Sequence, residues 1–225
     1  MAAYLDRWAA LREQDSIGVI LDTAEKWISW IGAAIGLVTL AIALWRGVWQ
    51  GLQRPSGRIT GAGAKILRVP LQLLFGALWI GLCFILWQPV PIPLTVSARI
   101  VTLTFGVPLY FLGLALYLWG ARTLGEMYKA SSGFGVQLNA EHRLVTHGPF
   151  ALVRHPLYLG LQVAAVGGVL LYRNWTFVFV TVNFLALVIR AGREEEALAM
   201  EFGEQWEAYI RRVPAWIPRF HRTAR

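Results

Sequence analysis

The sequence has 225 residues, of which 56% are hydrophobic and only 15% charged, and its mean hydropathy is +0.51. Soluble domains carry about a quarter charged residues, so this composition excludes an ordinary soluble globule. The net charge of +8 lies in segments between long apolar runs, which assigns it to a membrane surface rather than to nucleic acid.

Residues 1–26 mix charged and apolar side chains at roughly helical spacing, with Tyr4, Leu5, Trp8 and Leu11 followed by Ile17, Ile20 and Leu21. The pattern predicts an interfacial amphipathic helix broken near Gly18. No basic stretch leads straight into an apolar core there, so a signal peptide is not expected. Trp27–Trp45 is uncharged over nineteen residues, Ile66–Trp87 carries only Arg68, and Ile100–Gly120 is again uncharged. At about 1.5 Å per residue each can cross about 30 Å of hydrocarbon. Leu157–Tyr172 and Trp175–Ile189 are shorter, sixteen and fifteen residues, and only Arg173 and Asn174 separate them. They predict a tight helical hairpin. Many of the eleven tryptophans stand at the ends of these runs, as expected at a membrane interface. The single cysteine, Cys83, lies inside an apolar run, which leaves neither an intramolecular disulfide nor a thiolate cluster.

These runs predict an all-α membrane protein with five transmembrane helices. Its parts are an interfacial segment (1–26), three transmembrane helices with a basic loop (27–120), and a C-terminal unit of loop, hairpin and tail helix (121–225). Loop charge sets the orientation. Arg46–Arg68 holds five basic residues and no acid, Arg122–His155 four basic and two acidic, and the tail from Arg190 seven arginines and six glutamates. Gln88–Ala98 holds none, and its Gln-Pro-Val-Pro-Ile-Pro start is stiff. Five spans with the N-terminus outside put all three basic segments in the cytoplasm.

Polar residues collect at 122–158 and 190–214, on the same expected side. The first group holds His142, His147, Arg154, His155 and Tyr158; the second opens with Arg190, Arg193, Glu194, Glu195 and Glu196. Arg190 and Glu194 share a helix face. Read blandly, this is a membrane-exit helix with snorkelling arginines, and Arg154-His155-Pro156 is a helix start whose basic pair meets lipid phosphates. No HExxH or similar spacing suggests a metal. The Gly61-Ala62-Gly63 and Gly133-Phe134-Gly135 pairs lack a full dinucleotide fingerprint.

Glu141-His142-Arg143-Leu144-Val145-Thr146, Gly148-Pro149-Phe150 and Arg154-His155-Pro156-Leu157-Tyr158-Leu159-Gly160 resemble the isoprenylcysteine carboxyl methyltransferase family. The tail Glu194-Glu195, Leu198, Phe202-Gly203, Tyr209 and Arg212-Val213-Pro214 continues the likeness at the expected spacing. It covers about Leu124–Pro218; the first 120 residues are similar only in being membrane helices. The resemblance makes 121–225 a methyltransferase core that uses S-adenosylmethionine. It implies a cytoplasmic cofactor pocket between the loop before the hairpin and the tail helix. The implied cofactor contacts are His142, Leu144, Val145, Phe150, Arg154, His155, Pro156, Tyr158, Glu194 and Glu195, with Arg190 and Arg212 on the substrate side and no metal. Phe150 and Trp206 stand where the family commonly has tyrosine.

The chemistry is compatible. Glu194 can pair with a cationic ligand group and His155 can bond a carboxylate or ribose. Phe150 and Tyr158 offer aromatic faces. A carboxylate acceptor is already ionised near neutral pH and needs no general base, only alignment and exclusion of water, and an arginine can hold it. The resemblance implies a prenylated cysteine carboxylate as acceptor, reaching the site sideways between helices; the same architecture could serve another lipophilic carboxylate, amine or thiol. An endoplasmic reticulum and a bacterial inner membrane fit equally. A rival is an NADPH-dependent membrane reductase, whose Arg-x-Pro-Asn-Tyr motif has Leu157 here in place of asparagine. A transporter would carry ionisable residues at mid-membrane, where the five spans have none.

Overall fold

The computed structural model describes residues 2–53, 56–60, 69–128, 136–139 and 143–218, with side chains at 16–46, 74–128 and 143–218. The chain is predominantly helical. Helix α1 runs Ala2–Gln53, α2 Val69–Ile85, α3 Val96–Leu124, α4 Pro156–Tyr172, α5 Trp175–Phe184, α6 Ala186–Phe202 and α7 Glu204–Arg212. Among the described residues three stretches are long and apolar enough to cross a membrane: Ser16–Arg46, Val96–Met127 and Trp175–Phe202. Leu74–Ile85 and Pro156–Tyr172 are shorter apolar helices.

Three details differ from the sequence reading. Helix α1 passes through Gly18 without a break; one glycine costs a helix only about 1 kcal/mol, too little to interrupt so long an element. The hairpin's second arm does not stop at Ile189. It bends at Leu185, whose N–H bonds Val182 O at 3.2 Å, and continues to Phe202. The acidic pair stands on this continuation, at the end of the last span as its position in the sequence suggested. Finally, a short antiparallel ribbon joins β1 (Ser56–Thr60) to β2 (Val136–Asn139), with Ile59 opposite Gln137. It links the first basic loop to the loop before the hairpin, and β2 lies against α6.

The core is the antiparallel α3–α4 pair. A Cβ on Gly113 would stand 2.3 Å from Ala164 N, and one on Gly167 2.3 Å from Tyr110 N. The backbones touch, the close approach that small residues allow between membrane helices. Around this seam Leu103, Tyr110, Leu114, Ala164 and Leu171 form a buried cluster. Tyr110 and Tyr172 then dock α1, their hydroxyls donating to Gly32 O (3.1 Å) and Ser29 O (3.0 Å).

The hairpin turn is built as expected from its two polar residues. Arg173 is left-handed (φ 48, ψ 44), and the Asn174 side chain caps α5 by accepting from Phe177 N. Val90 N donates to Arg173 O and Trp175 N to Gln88 O, so the uncharged Gln88–Ala98 segment and the turn share one end of the molecule. At this end Glu25 accepts from Arg99 Nη2 and from Arg173 Nη2, each at 2.8 Å, and Asp22 also pairs with Arg99. At the opposite end Arg46 donates to Ala121 O at 2.8 Å.

Candidate functional site

The site lies at the end where α4 begins and α6 finishes. Pro149, Val153 and Pro156 are fully buried and fix the turn that enters α4. Pro156 takes the first helical turn, where its missing N–H costs nothing. Arg154 and His155 precede it. Their backbone N–H groups are taken by the extended tail: Arg154 N donates to Pro214 O (2.9 Å) and His155 N to Ala215 O (3.2 Å).

The tail is anchored by its own small core. Leu198, Trp206, Tyr209 and Val213 are buried together, with Leu144 and Phe202 packed against them. Gly203 adopts a positive φ (47°) between α6 and α7, a conformation glycine supplies at little cost. Tyr209 OH donates to Phe150 O at 2.7 Å. Burial pushes its phenol up to about 12, so it remains a donor at any ordinary pH. Phe150 is itself buried.

Two short networks cross from α4 to α6. In one, Tyr158 OH donates to Glu194 Oε2 at 2.8 Å and receives a hydrogen bond from Arg190 Nε at 2.7 Å; the Arg190 guanidinium lies 5.8 Å from the Tyr158 ring centroid. In the other, Glu195 Oε1 stands 2.7 Å from His155 Nε2 and 3.2 Å from Arg154 Nε. Aromatic rings enclose both. His155 and Tyr158 stack at 5.7 Å with 9° between their planes, Trp216 lies 5.2 Å from His155, and the Arg154 guanidinium sits 5.9 Å from the Trp206 ring.

The structure thus brings together Phe150, Arg154, His155, Pro156, Tyr158, Arg190, Glu194 and Glu195. Leu144 joins the tail core, and Val145 is half-buried beside it in sequence. Arg212 is exposed on α7 and bonds its own helix, Nε to Ala208 O at 3.2 Å. His142 lies outside the described residues. Among the described residues no group of three or more His, Cys, Asp or Glu side chains gathers. The tail residues Trp216, Pro214 and Ala215 were not legible as site elements. Pro214 entered the sequence reading as part of the Arg212-Val213-Pro214 motif, without a strap being expected there.

Part of the chain is similar in sequence to known proteins. Residues 106–200 match the isoprenylcysteine carboxyl methyltransferase (ICMT) family. The protein-S-isoprenylcysteine O-methyltransferase of Schizosaccharomyces pombe is 35% identical over 110 residues, which is 48% of this chain and 47% of the relative. Protein-S-isoprenylcysteine O-methyltransferase B of Arabidopsis thaliana is 29% identical over 116 residues, 51% of this chain and 58% of that protein. A probable protein-S-isoprenylcysteine O-methyltransferase of Oryza sativa subsp. indica is 35% identical over 80 residues, covering 35% and 42%. The chain spans about half the length of the curated relatives it matches.

Proposed function

We propose that this chain, whose residues 106–200 are of the ICMT family, is an integral membrane methyltransferase that uses S-adenosylmethionine to methylate a lipophilic carboxylate. The observation that carries the reading is the convergence of Arg154, His155 and Tyr158 with Arg190, Glu194 and Glu195 under the 213–216 strap. These partners come from both halves of the matched region and from the tail just beyond it.

The donor set fits the cofactor. A ligand with a cationic centre, a carboxylate and a flat base meets acids, an imidazole, guanidinium groups and aromatic faces here. Leu144, Val145, Phe150, Arg154, His155, Pro156, Tyr158 and Glu194 would hold it, with His142 from the preceding loop. Bound there, S-adenosylmethionine supplies an activated methyl group. The chain's own part is to position and to exclude water. Tyr158 holds Arg190 through its Nε. Arg190 is the cation we assign to the acceptor anion, and Arg212 on α7 is the second. An ionised carboxylate needs no base, so no proton acceptor is assigned.

The placement in the membrane follows the same reading. We propose five spans with the N-terminus outside and the site in the cytoplasm. In support, the uncharged Gln88–Ala98 segment and the hairpin turn share one end, while Arg46 and the site share the other. Transfer of a radiolabelled methyl group to N-acetyl-S-farnesylcysteine in detergent tests the reaction. The product should release methanol in base, as a methyl ester does. A base-stable product would show a different acceptor atom, and no transfer to any lipophilic acid, amine or thiol would overturn the reading.

A further inference from the structure

The neighbouring acids Glu194 and Glu195 have divided their work. Successive helical positions are rotated by about 100°, so their carboxylates serve different sectors. Glu194 meets Tyr158 and, through it, Arg190. Among the described residues Glu195 meets the turn entering α4: His155 Nε2 at 2.7 Å and Arg154 Nε at 3.2 Å, both at the same oxygen. An ionised carboxylate only accepts, so the His155 nitrogen that faces it carries the proton. The ring is then fixed in tautomer by Glu195 and in plane by Tyr158 and Trp216. The His155 side chain is only 4% exposed, so it has little room to turn.

We infer that Glu195 is a positioning residue: it sets the tautomer and orientation of His155 and holds Arg154, while Glu194 is the acid that faces the ligand. The functional half of this inference rests on the methyltransferase reading; the tautomer half does not. Arg154 is held in the same way from its other side, by the Trp206 ring. The identity of Trp206, which departs from the family's usual tyrosine, thereby acquires a use: a broad platform beneath a guanidinium.

Two measurements on the full chain in detergent test this. The first is nitrogen NMR of the histidine rings without ligand, the His155 signals among the four histidines being identified by their loss in His155→Ala. The expected result is a single tautomer protonated at Nε2, lost in Glu195→Ala and kept in Glu195→Gln, whose amide oxygen still accepts. Unchanged His155 signals in Glu195→Ala would overturn the inference. The second is S-adenosylhomocysteine affinity across a double-mutant cycle. Glu195→Ala should weaken binding about tenfold in the natural background and much less in a His155→Ala background, where only its hold on Arg154 is left to lose. Additive losses would put Glu195 directly on the ligand and overturn it. If the natural protein binds no S-adenosylhomocysteine, the methyltransferase reading falls, and the ring spectrum still decides whether Glu195 sets His155.

Discussion

The two ends of the α3–α4 pair carry the same kinds of polar group put to different ends. At the turn end Glu25 is shared by Arg99 and Arg173, with Asp22 beside it. Charges from α1, α3 and the hairpin turn neutralise one another, and the result is a clasp that holds α1 to the core. At the other end His155, Tyr158, Arg190, Glu194 and Glu195 are hydrogen-bonded and Arg154 is ion-paired to Glu195, yet aromatic rings and an extended tail surround them. The difference shows that an ion pair between helices does not by itself mark a site. What distinguishes the second end is a histidine and aromatic rings set directly against the charged groups, with an extended strap across them.

The comparison can be broken or sharpened at four places. The largest effect is expected at Gly113, midway between the ends. Gly113→Leu would drive a side chain into the α4 backbone, and overpacking of that kind with no flexible neighbour should prevent recovery of a monodisperse protein, read by size-exclusion chromatography. Normal recovery would contradict the close seam. Next, Tyr158→Phe removes the hydroxyl between Arg190 and Glu194. Losing these charge-assisted bonds should cost methyl transfer about tenfold or more and leave the melting temperature within a few degrees.

Glu25→Ala is the converse experiment. It leaves Arg99 and Arg173 facing each other without their shared acid, which should cost about 1–3 kcal/mol of stability, measured as a lower melting temperature. Affinity for S-adenosylhomocysteine should not move; a loss there would mean that the two ends are coupled. The smallest effect is expected for Tyr209→Phe, which deletes one buried bond to Phe150 O. About 1 kcal/mol of stability should be lost, and a change in activity larger than the change in stability would show that Phe150 must be held in place for function.

Much of the frame was readable in the sequence because hydrophobic runs and their interruptions are local signals. Arg173-Asn174 between two apolar runs is the turn, and Asn174 serves as its cap. The pairing of Arg190 and Glu194 on one helix face also followed from spacing, although the structure inserts Tyr158 between them. The division between Glu194 and Glu195 could not be read, since adjacent identical residues differ only in the direction set by tertiary packing. The β1–β2 ribbon escaped for a similar reason: SGRIT and VQLN are too short to show an alternating pattern, and only their pairing makes them strands. Nor could the sequence show that Arg212 bonds its own helix while the backbone two residues beyond it straps the α4 entrance.

The most direct test of the central claim is calorimetric binding of S-adenosylhomocysteine to the detergent-purified chain, with NADPH as the control. Binding of S-adenosylhomocysteine is expected, weakened about tenfold or more but still measurable in His155→Ala and in Glu194→Ala, and intact in Glu25→Ala. Binding of NADPH alone, or of neither compound, would contradict it.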